Sequence, residues 1–369
     1  MSTIPLFRMF PELKRRLPYR ELAALPTPVE RVASLVDGKP DVFVKRDDLT
    51  GTPYGGNKVR KLEFLIGRAL AERRKRVITV GGAGSNHALC TAVYARKAGL
   101  SASLLLFPQL NAQSVRENLL MDLHVGADVH FCREYERLEE TADALSAHYT
   151  SRDGVEPMFI PGGGSAPLGV VGYVNAALEL SEQVSQGKLP CPAKIYVALG
   201  TMGTAAGLML GLKAAGLKTD VVGVRVVPAS VGSESRLLTL LEATSRLLHQ
   251  ADSSFPMPRF SDEDLCLDHD YFGGEYGRHT PEARDAVARM AAAAGVKLDG
   301  TYTGKAAAAM LAHLRSAADA EPMLFWNTKN SRAIPDEALA RDYRELPEPL
   351  HFYFETPTQE EALSAGPPS

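Results

Sequence analysis

From residue 77 onward short apolar runs alternate with longer amphipathic stretches, and that alternation leaves the chain few architectures to choose from. Residues 77–80, 102–107, 128–132, 158–160, 195–199 and 221–227 read as strands, while 85–98, 111–124, 134–148, 168–187 and 204–215 carry helical periodicity. Strands alternating with helices give parallel sheets wrapped by crossover helices. Ligands in such sheets bind where loops leave the carboxyl ends of strands, which directs attention to those loops. At 369 residues the chain is too long for one small core, so two domains are expected. The proline-containing stretch 189–193 reads as a connection between units. Residues 230–264 read as a helix followed by an irregular excursion. The tail from 346 is rich in Pro and Glu, and its last ten or so residues are expected to be mobile.

Composition excludes several classes. A net charge of -3 argues against general nucleic-acid binding, which needs a concentrated basic surface. The four cysteines lie far apart with no CxxC pair, so neither a metal site nor a disulfide scaffold is expected. No apolar run reaches membrane-spanning length and the first 20 residues have no signal-peptide core, which points to a cytoplasmic protein.

The block Lys45-Arg-Asp-Asp-Leu-Thr-Gly-Thr-Pro-Tyr-Gly-Gly-Asn-Lys-Val-Arg-Lys-Leu-Glu63 places Lys58 after two glycines, where a strand has ended and a helix begins. Glycines admit close approach to a bound group, and a helix N-terminus favours an anion. A lysine desolvated there can lose its proton and form a Schiff base with a carbonyl cofactor. Taken alone, Lys58 reads as a first-turn surface lysine, and the other loops decide between the two readings.

Gly81-Gly-Ala-Gly-Ser-Asn-His87 follows a strand and opens a helix. Ser85 or Asn86 would serve as an ordinary cap. The preceding glycines make a cradle larger than a cap needs, with donors for a carboxylate and Asn86 available for a phenolic oxygen. Gly200-Thr-Met-Gly-Thr204 stands between a strand and a helix, where successive amides and the Thr201 and Thr204 hydroxyls suit a phosphate. The next strand does not end in an acid to grip a ribose, and no Gly-Lys-Ser/Thr follows, so a monophosphate fits better than a nucleotide. Tight glycine packing without a ligand is the plainer alternative. Tyr276 and Tyr302 lie in loops, either as packing residues or as phenols that deliver a proton to a leaving group. The strand 323–326 runs into Asn327-Thr328, a strand end suited to lining a site.

A Schiff-base lysine, a monophosphate cradle and a carboxylate loop together describe pyridoxal phosphate (PLP) and an amino acid. From Leu25-Pro-Thr-Pro28 to Thr328 the chain resembles the D-cysteine desulfhydrase and 1-aminocyclopropane-1-carboxylate (ACC) deaminase family, within the tryptophan-synthase-β-like, fold type II PLP enzymes. The resemblance implies that Lys58 holds the cofactor, Ser85 the substrate carboxylate and Asn86 the cofactor's phenolic oxygen. It implies that Gly200, Thr201, Met202, Gly203 and Thr204 bind the phosphate, and that Tyr276 and Tyr302 are the active-site tyrosines. His87, where the deaminases carry Gln, and Thr303, where they carry Glu, favour the desulfhydrase branch. Thr303, with Thr328, would stand near the pyridine nitrogen. A hydroxyl there cannot hold the nitrogen protonated as a carboxylate would, which suits expulsion of a good β-leaving group. Asn327-Thr328-Lys329-Asn330, Asp299-Gly-Thr-Tyr302 and Gly82-Ala-Gly84 depart from the family pattern around the expected substrate pocket.

The expected architecture is two three-layer α/β/α domains with mainly parallel sheets and PLP in the cleft between them. Residues 1–60 and 175–345 form the large domain, 61–174 the small one, and 346–369 a tail. The expected activity is β-elimination and deamination of a small amino acid, D-cysteine to pyruvate, sulfide and ammonia. ACC deaminase, L-cysteate sulfo-lyase and a catalytically inactive PLP-binding sensor are the alternatives. Homodimerisation is implied by the family alone.

Overall fold

Among the described residues the strands assemble into two sheets. The computed structural model describes residues 3–364 except 34, 37, 38, 40 and 317–320. The strands are β1 (Val29–Val32), β2 (Val42–Lys45), β3 (Arg76–Gly82), β4 (Ser101–Phe107), β5 (Asp128–Phe131), β6 (Met158–Ile160), β7 (Lys194–Leu199), β8 (Asp220–Arg225), β9 (Cys266–Asp268) and β10 (Met323–Trp326). The longer helices are α1 (Lys58–Ala71), α2 (Asn86–Lys97), α3 (Gln113–His124), α4 (Leu138–Asp153), α5 (Pro167–Ser185), α6 (Gly203–Ala215), α7 (Glu234–Ala251), α8 (Pro281–Ala294) and α9 (Thr303–Ser316). The chain divides into a larger unit, Met1–Phe64 with Ser165–Ser331, and a smaller one, Leu65–Gly164 with Arg332–Ser369.

The larger sheet has the order β1-β2-β10-β7-β8-β9, parallel except for the β1–β2 pair. Val42, Val44, Phe325, Tyr196, Val222 and Val224 share a core cluster with Met290 of α8 and the apolar residues of α9. Their sequence neighbours Phe43, Leu324, Ile195 and Val197 point to the opposite face by the strand period. The register sets Trp326 beside Lys45, and Phe325 beside Tyr196. The central strands β2, β10 and β7 therefore send their carboxyl-terminal loops out at one edge of this sheet.

The smaller sheet is wholly parallel, in the order β5-β4-β3-β6. Its central strand β3 runs directly into the 81–87 loop and α2.

Several sequence expectations change here. Residues 189–193 connect α5 to β7 inside the larger unit, because the unit boundary falls at 164/165. Residues 61–64, 165–174 and 332–345 belong to the other unit from the one expected. The tail is built in rather than trailing: Phe352–Glu355 and Gln359–Ser364 are helical, and Asn111 Nδ2 donates to the Tyr353 and Thr356 carbonyls, both at 2.9 Å. Residues 365–369, part of the expected mobile end, lie outside the described residues. The edge strands β1 and β9 were too short and too polar to show a period.

Candidate active site

In the larger unit three strand ends supply the site. After β7 the chain turns through Gly200, Thr201 and Met202, whose φ of 65° lies in the left-handed region, and then starts α6 at Gly203. Gly203 N closes this turn on Thr201 O at 2.9 Å, and the helix N-terminus that follows presents partial positive charge. Ser165 Oγ accepts from Gly203 N at 3.2 Å and lies 2.8 Å from Thr201 Oγ1. Lys61 Nζ donates to the same Ser165 Oγ at 3.2 Å. Burial, and then the charge on Lys58, holds the Lys61 ammonium well below the usual lysine range.

Lys58 opens α1 after the β2 loop. Its Nζ donates to Asn57 Oδ1 at 3.0 Å, and Asn57 Nδ2 donates to Thr204 Oγ1 at 2.9 Å. The lysine is thus tied through one asparagine to the glycine turn. Gly56, at φ +93°, makes the turn into α1, and a Cβ there would lie 2.8 Å from the Thr328 carbonyl. That carbonyl accepts from Asn57 N at 3.1 Å, and Asn330 Oδ1 accepts from Gly55 N at 2.7 Å. The Asn327-Thr328-Lys329-Asn330 departure therefore has a structural task, bracing the turn that carries Lys58.

Beneath this turn lies a buried set of charges. Arg60 pairs with Asp47 through two bonds of 2.7 and 2.9 Å and with Glu179 through two of 3.0 Å. Lys45 Nζ donates to Glu179 at 2.5 Å, and Asp47 also accepts from Tyr173 and Trp326. Despite burial, which opposes it, Arg60 and Lys45 keep the Asp47 carboxylate below the usual range. Much of the conspicuous 45–63 block is therefore scaffold that fixes the start of α1. Asn57 reaches the turn directly, Lys58 through Asn57, and Lys61 through Ser165.

Tyr276 and Tyr302 meet through a hydrogen bond between their hydroxyls, with ring centroids 6.2 Å apart and planes at 70°. Burial raises both phenols above the ordinary tyrosine value. A Cβ on Gly200 would come 3.8 Å from Tyr302 Cε1, so this ring borders the turn. The Asp299 carboxylate orders the loop, accepting from Thr301 N, Tyr302 N and Thr303 Oγ1. The Thr303 proton is thereby committed to Asp299, and its oxygen has only a lone pair to offer a third group.

In the smaller unit, Ser85 caps α2, accepting from Ala88 N at 3.2 Å. Asn118 Nδ2 donates to Gly84 O at 2.8 Å and to Asn86 Oδ1 at 3.1 Å. His87 is 3% exposed, with Nε2 3.0 Å from Thr79 Oγ1. Because Thr79 gives its own proton to Ile160 O, His87 Nε2 must be the donor in that contact. His87 thus has an interior role under α2 beside the substrate-binding one expected.

The structure brings together Lys58, Thr201, Met202, Gly203, Thr204, Tyr276 and Tyr302 with their supports in the larger unit. Ser85, Asn86 and His87 form a second group within the smaller unit. Sequence reasoning missed Lys61 and Ser165. Lys61 had a signal, one helical turn after Lys58; Ser165 had none. Gly207 belongs to the packing alternative, since a Cβ there would meet Tyr173 Cβ of α5 at 2.3 Å.

Helix N-terminal amides, three hydroxyls and two lysines, gathered at the carboxyl edge of a parallel sheet, define an enzyme built around a phosphate-bearing cofactor. The family model described as pyridoxal-phosphate dependent enzyme matches residues 21–328. A D-cysteine desulfhydrase of Klebsiella pneumoniae is 35% identical over 328 residues, 86% of this chain and 96% of its own. A Pyrococcus horikoshii protein provisionally named a 1-aminocyclopropane-1-carboxylate deaminase is 35% identical over 319 residues, covering 86% and 93%. A crystal structure of an ACC deaminase homologue superposes with a TM-score of 0.76 at 31% identity, over 92% of this chain and 99% of the other. The chain belongs to the PLP-dependent enzymes, in the D-cysteine desulfhydrase and ACC deaminase family. The donor set fits that cofactor in its chemistry: the amides and hydroxyls of the 200–204 turn, Ser165 and Lys61 would suit its phosphate, and the Lys58 amine would suit its aldehyde.

Proposed function

We propose that the protein is a lyase that eliminates the β-substituent of a small amino acid and deaminates the remainder. D-cysteine, giving pyruvate, sulfide and ammonia, is the leading substrate. Bound PLP supplies the electron sink that makes the Cα proton removable. Lys58 is the amine that anchors the cofactor and moves a proton at Cα. The 85–86 segment takes the substrate carboxylate, Ser85 by its hydroxyl and Asn86 by its amide. By the family resemblance Asn86 is assigned to the cofactor's phenolic oxygen, and Thr303 and Thr328 to its ring.

The observation that carries this reading is the Tyr276–Tyr302 phenol pair beside the 200–204 turn. One hydroxyl donates to the other, and burial keeps both phenols protonated at physiological pH, as a proton donor requires. A proton delivered to departing sulfur converts thiolate to a neutral leaving group. The same pair would serve carbon protonation in opening a cyclopropane, and the relatives named as ACC deaminases support that second reading. L-cysteate is the third candidate substrate. Location in the cytoplasm and homodimerisation belong to the same proposal.

The test is incubation of the purified holoenzyme with D-cysteine, L-cysteine, L-cysteate and ACC, assaying pyruvate, sulfide, sulfite and 2-oxobutyrate. Pyruvate and sulfide from D-cysteine are expected. No turnover of D-cysteine defeats the leading choice, and 2-oxobutyrate from ACC replaces it with the second.

A further inference from the structure

The carboxylate loop of the smaller unit is gripped at Gly84, and both grips lead to the C-terminal tail. Gln109 Oε1 accepts from Gly84 N at 3.0 Å on one side, and Asn118 Nδ2 donates to Gly84 O at 2.8 Å on the other. The fit is tight, since a Cβ on Gly84 would lie 2.8 Å from Val115 Cγ2 and 3.1 Å from Gln109 Nε2. Gln109 is in turn held by Tyr353, whose fully buried hydroxyl accepts from Gln109 N at 3.0 Å and donates to Gln109 O at 3.1 Å. On the Asn118 side, Arg116 of the same helix donates to the Tyr353 carbonyl and the Thr356 carbonyl, each at 2.8 Å, and pairs with Glu361. This segment lies beyond residues 21–328, the part matched by the family model.

We propose that Tyr353, acting through Gln109, is a positioning residue for the 81–87 loop and sets the affinity for the substrate carboxylate. The proposal rests on the reading of Ser85 and Asn86 as carboxylate ligands. A phenol that accepts from the N–H of one residue and donates to its C=O fixes the peptide groups on both sides of that residue's Cα. The Gln109 side chain is then aimed at the Gly84 amide, and the loop presents Ser85 and Asn86 in one geometry. Tyr353 touches neither substrate nor cofactor, so its effect falls on binding and leaves the chemical step alone.

The test uses the full-length holoenzyme and its Tyr353→Phe variant, which keeps the ring and removes the two hydroxyl bonds. Hydrogen exchange of peptides covering the 81–87 loop is expected to quicken. KM is expected to rise about 3- to 10-fold, the worth of a lost hydrogen bond, with kcat within about twofold. Gln109→Leu, which leaves Tyr353 intact, is expected to give the same pair of changes. Glu361→Gln, at the exposed end of the tail, is expected to give neither. Unchanged loop exchange in Tyr353→Phe overturns the proposal, as does a Glu361→Gln variant that moves both readouts equally. If loop exchange quickens and KM does not move, Ser85→Ala separates two failures. A KM raised by Ser85→Ala overturns the positioning role alone. A KM untouched by Ser85→Ala removes the carboxylate reading of the loop, and the proposal falls with it.

Discussion

Arg60 and Asp47 face each other through two hydrogen bonds, of 2.7 and 2.9 Å, with no exposed surface on either side chain. Arg60 lies two residues after Lys58, and the pair joins the start of α1 to the segment just after β2. Removing one partner strands a charge in the interior, and such losses cost about 3–5 kcal/mol. Arg60→Met should lower the midpoint of urea unfolding accordingly, whereas the paired Arg60→Met/Asp47→Leu change should recover part of the loss. A midpoint unmoved by Arg60→Met would mean the pair contributes nothing to holding the helix.

Lys61 should matter for holding the cofactor. Its Nζ reaches Ser165 at the head of α6, a phosphate beside it would favour the charged amine, and one such charge-assisted bond is worth roughly a 10- to 100-fold change in affinity. Titrating Lys61→Met apoenzyme with PLP by absorbance should show that weakening. An unchanged Kd would remove Lys61 from the phosphate set.

Lys58→Ala should abolish turnover and the adduct that borohydride reduction traps. Peptide mass mapping of the reduced wild-type protein should place a pyridoxyl group on residue 58, and its appearance on Lys61 instead would reassign the anchor.

Tyr276→Phe and Tyr302→Phe should each lower kcat/KM for a β-elimination substrate by about 100-fold or more. Burial raises both phenols, so the proton they hold survives alkaline conditions. Activity should not fall through phenol ionisation below the ordinary tyrosine value of 10.0. A wild-type alkaline limb that disappears in Tyr276→Phe would contradict this.

Glu63 gives the larger unit a pH-dependent term. Burial pushes its carboxyl up to about 7 from an ordinary 4.5, against the bonds it accepts from Leu22 N, Ala23 N and Tyr19. Between those values the folded protein holds a proton that the unfolded chain has released. Stability therefore falls as pH rises through the window, by up to about 3 kcal/mol, and levels off above it. Glu63→Gln should lack this slope, which urea titrations at several pH values would reveal.

The strand–helix alternation was readable because buried parallel strands are written as short apolar runs, and most of the expected elements appear within a few residues. The helix α8 is bounded by ordinary start and stop signals, Thr280-Pro281 and Gly295. Lys58 and the 200–204 turn were legible as local motifs. Ser165 was not, because it reaches the turn only through tertiary packing, and no spacing announces that. The scaffold role of Lys45, Asp47 and Arg60 was hidden for a related reason. A charged residue in sequence looks like surface until its partner, here Glu179, is found more than a hundred positions away.

The lysine, the glycine turn and the buried ions beneath them belong to one folding unit, while the 81–87 loop belongs to another with a sheet of its own. On the proposed reading of that loop as the carboxylate site, substitutions that alter substrate binding there fall in the second unit, away from the buried ions that brace Lys58. Laboratory evolution of new specificities should therefore leave residues 45–63 untouched.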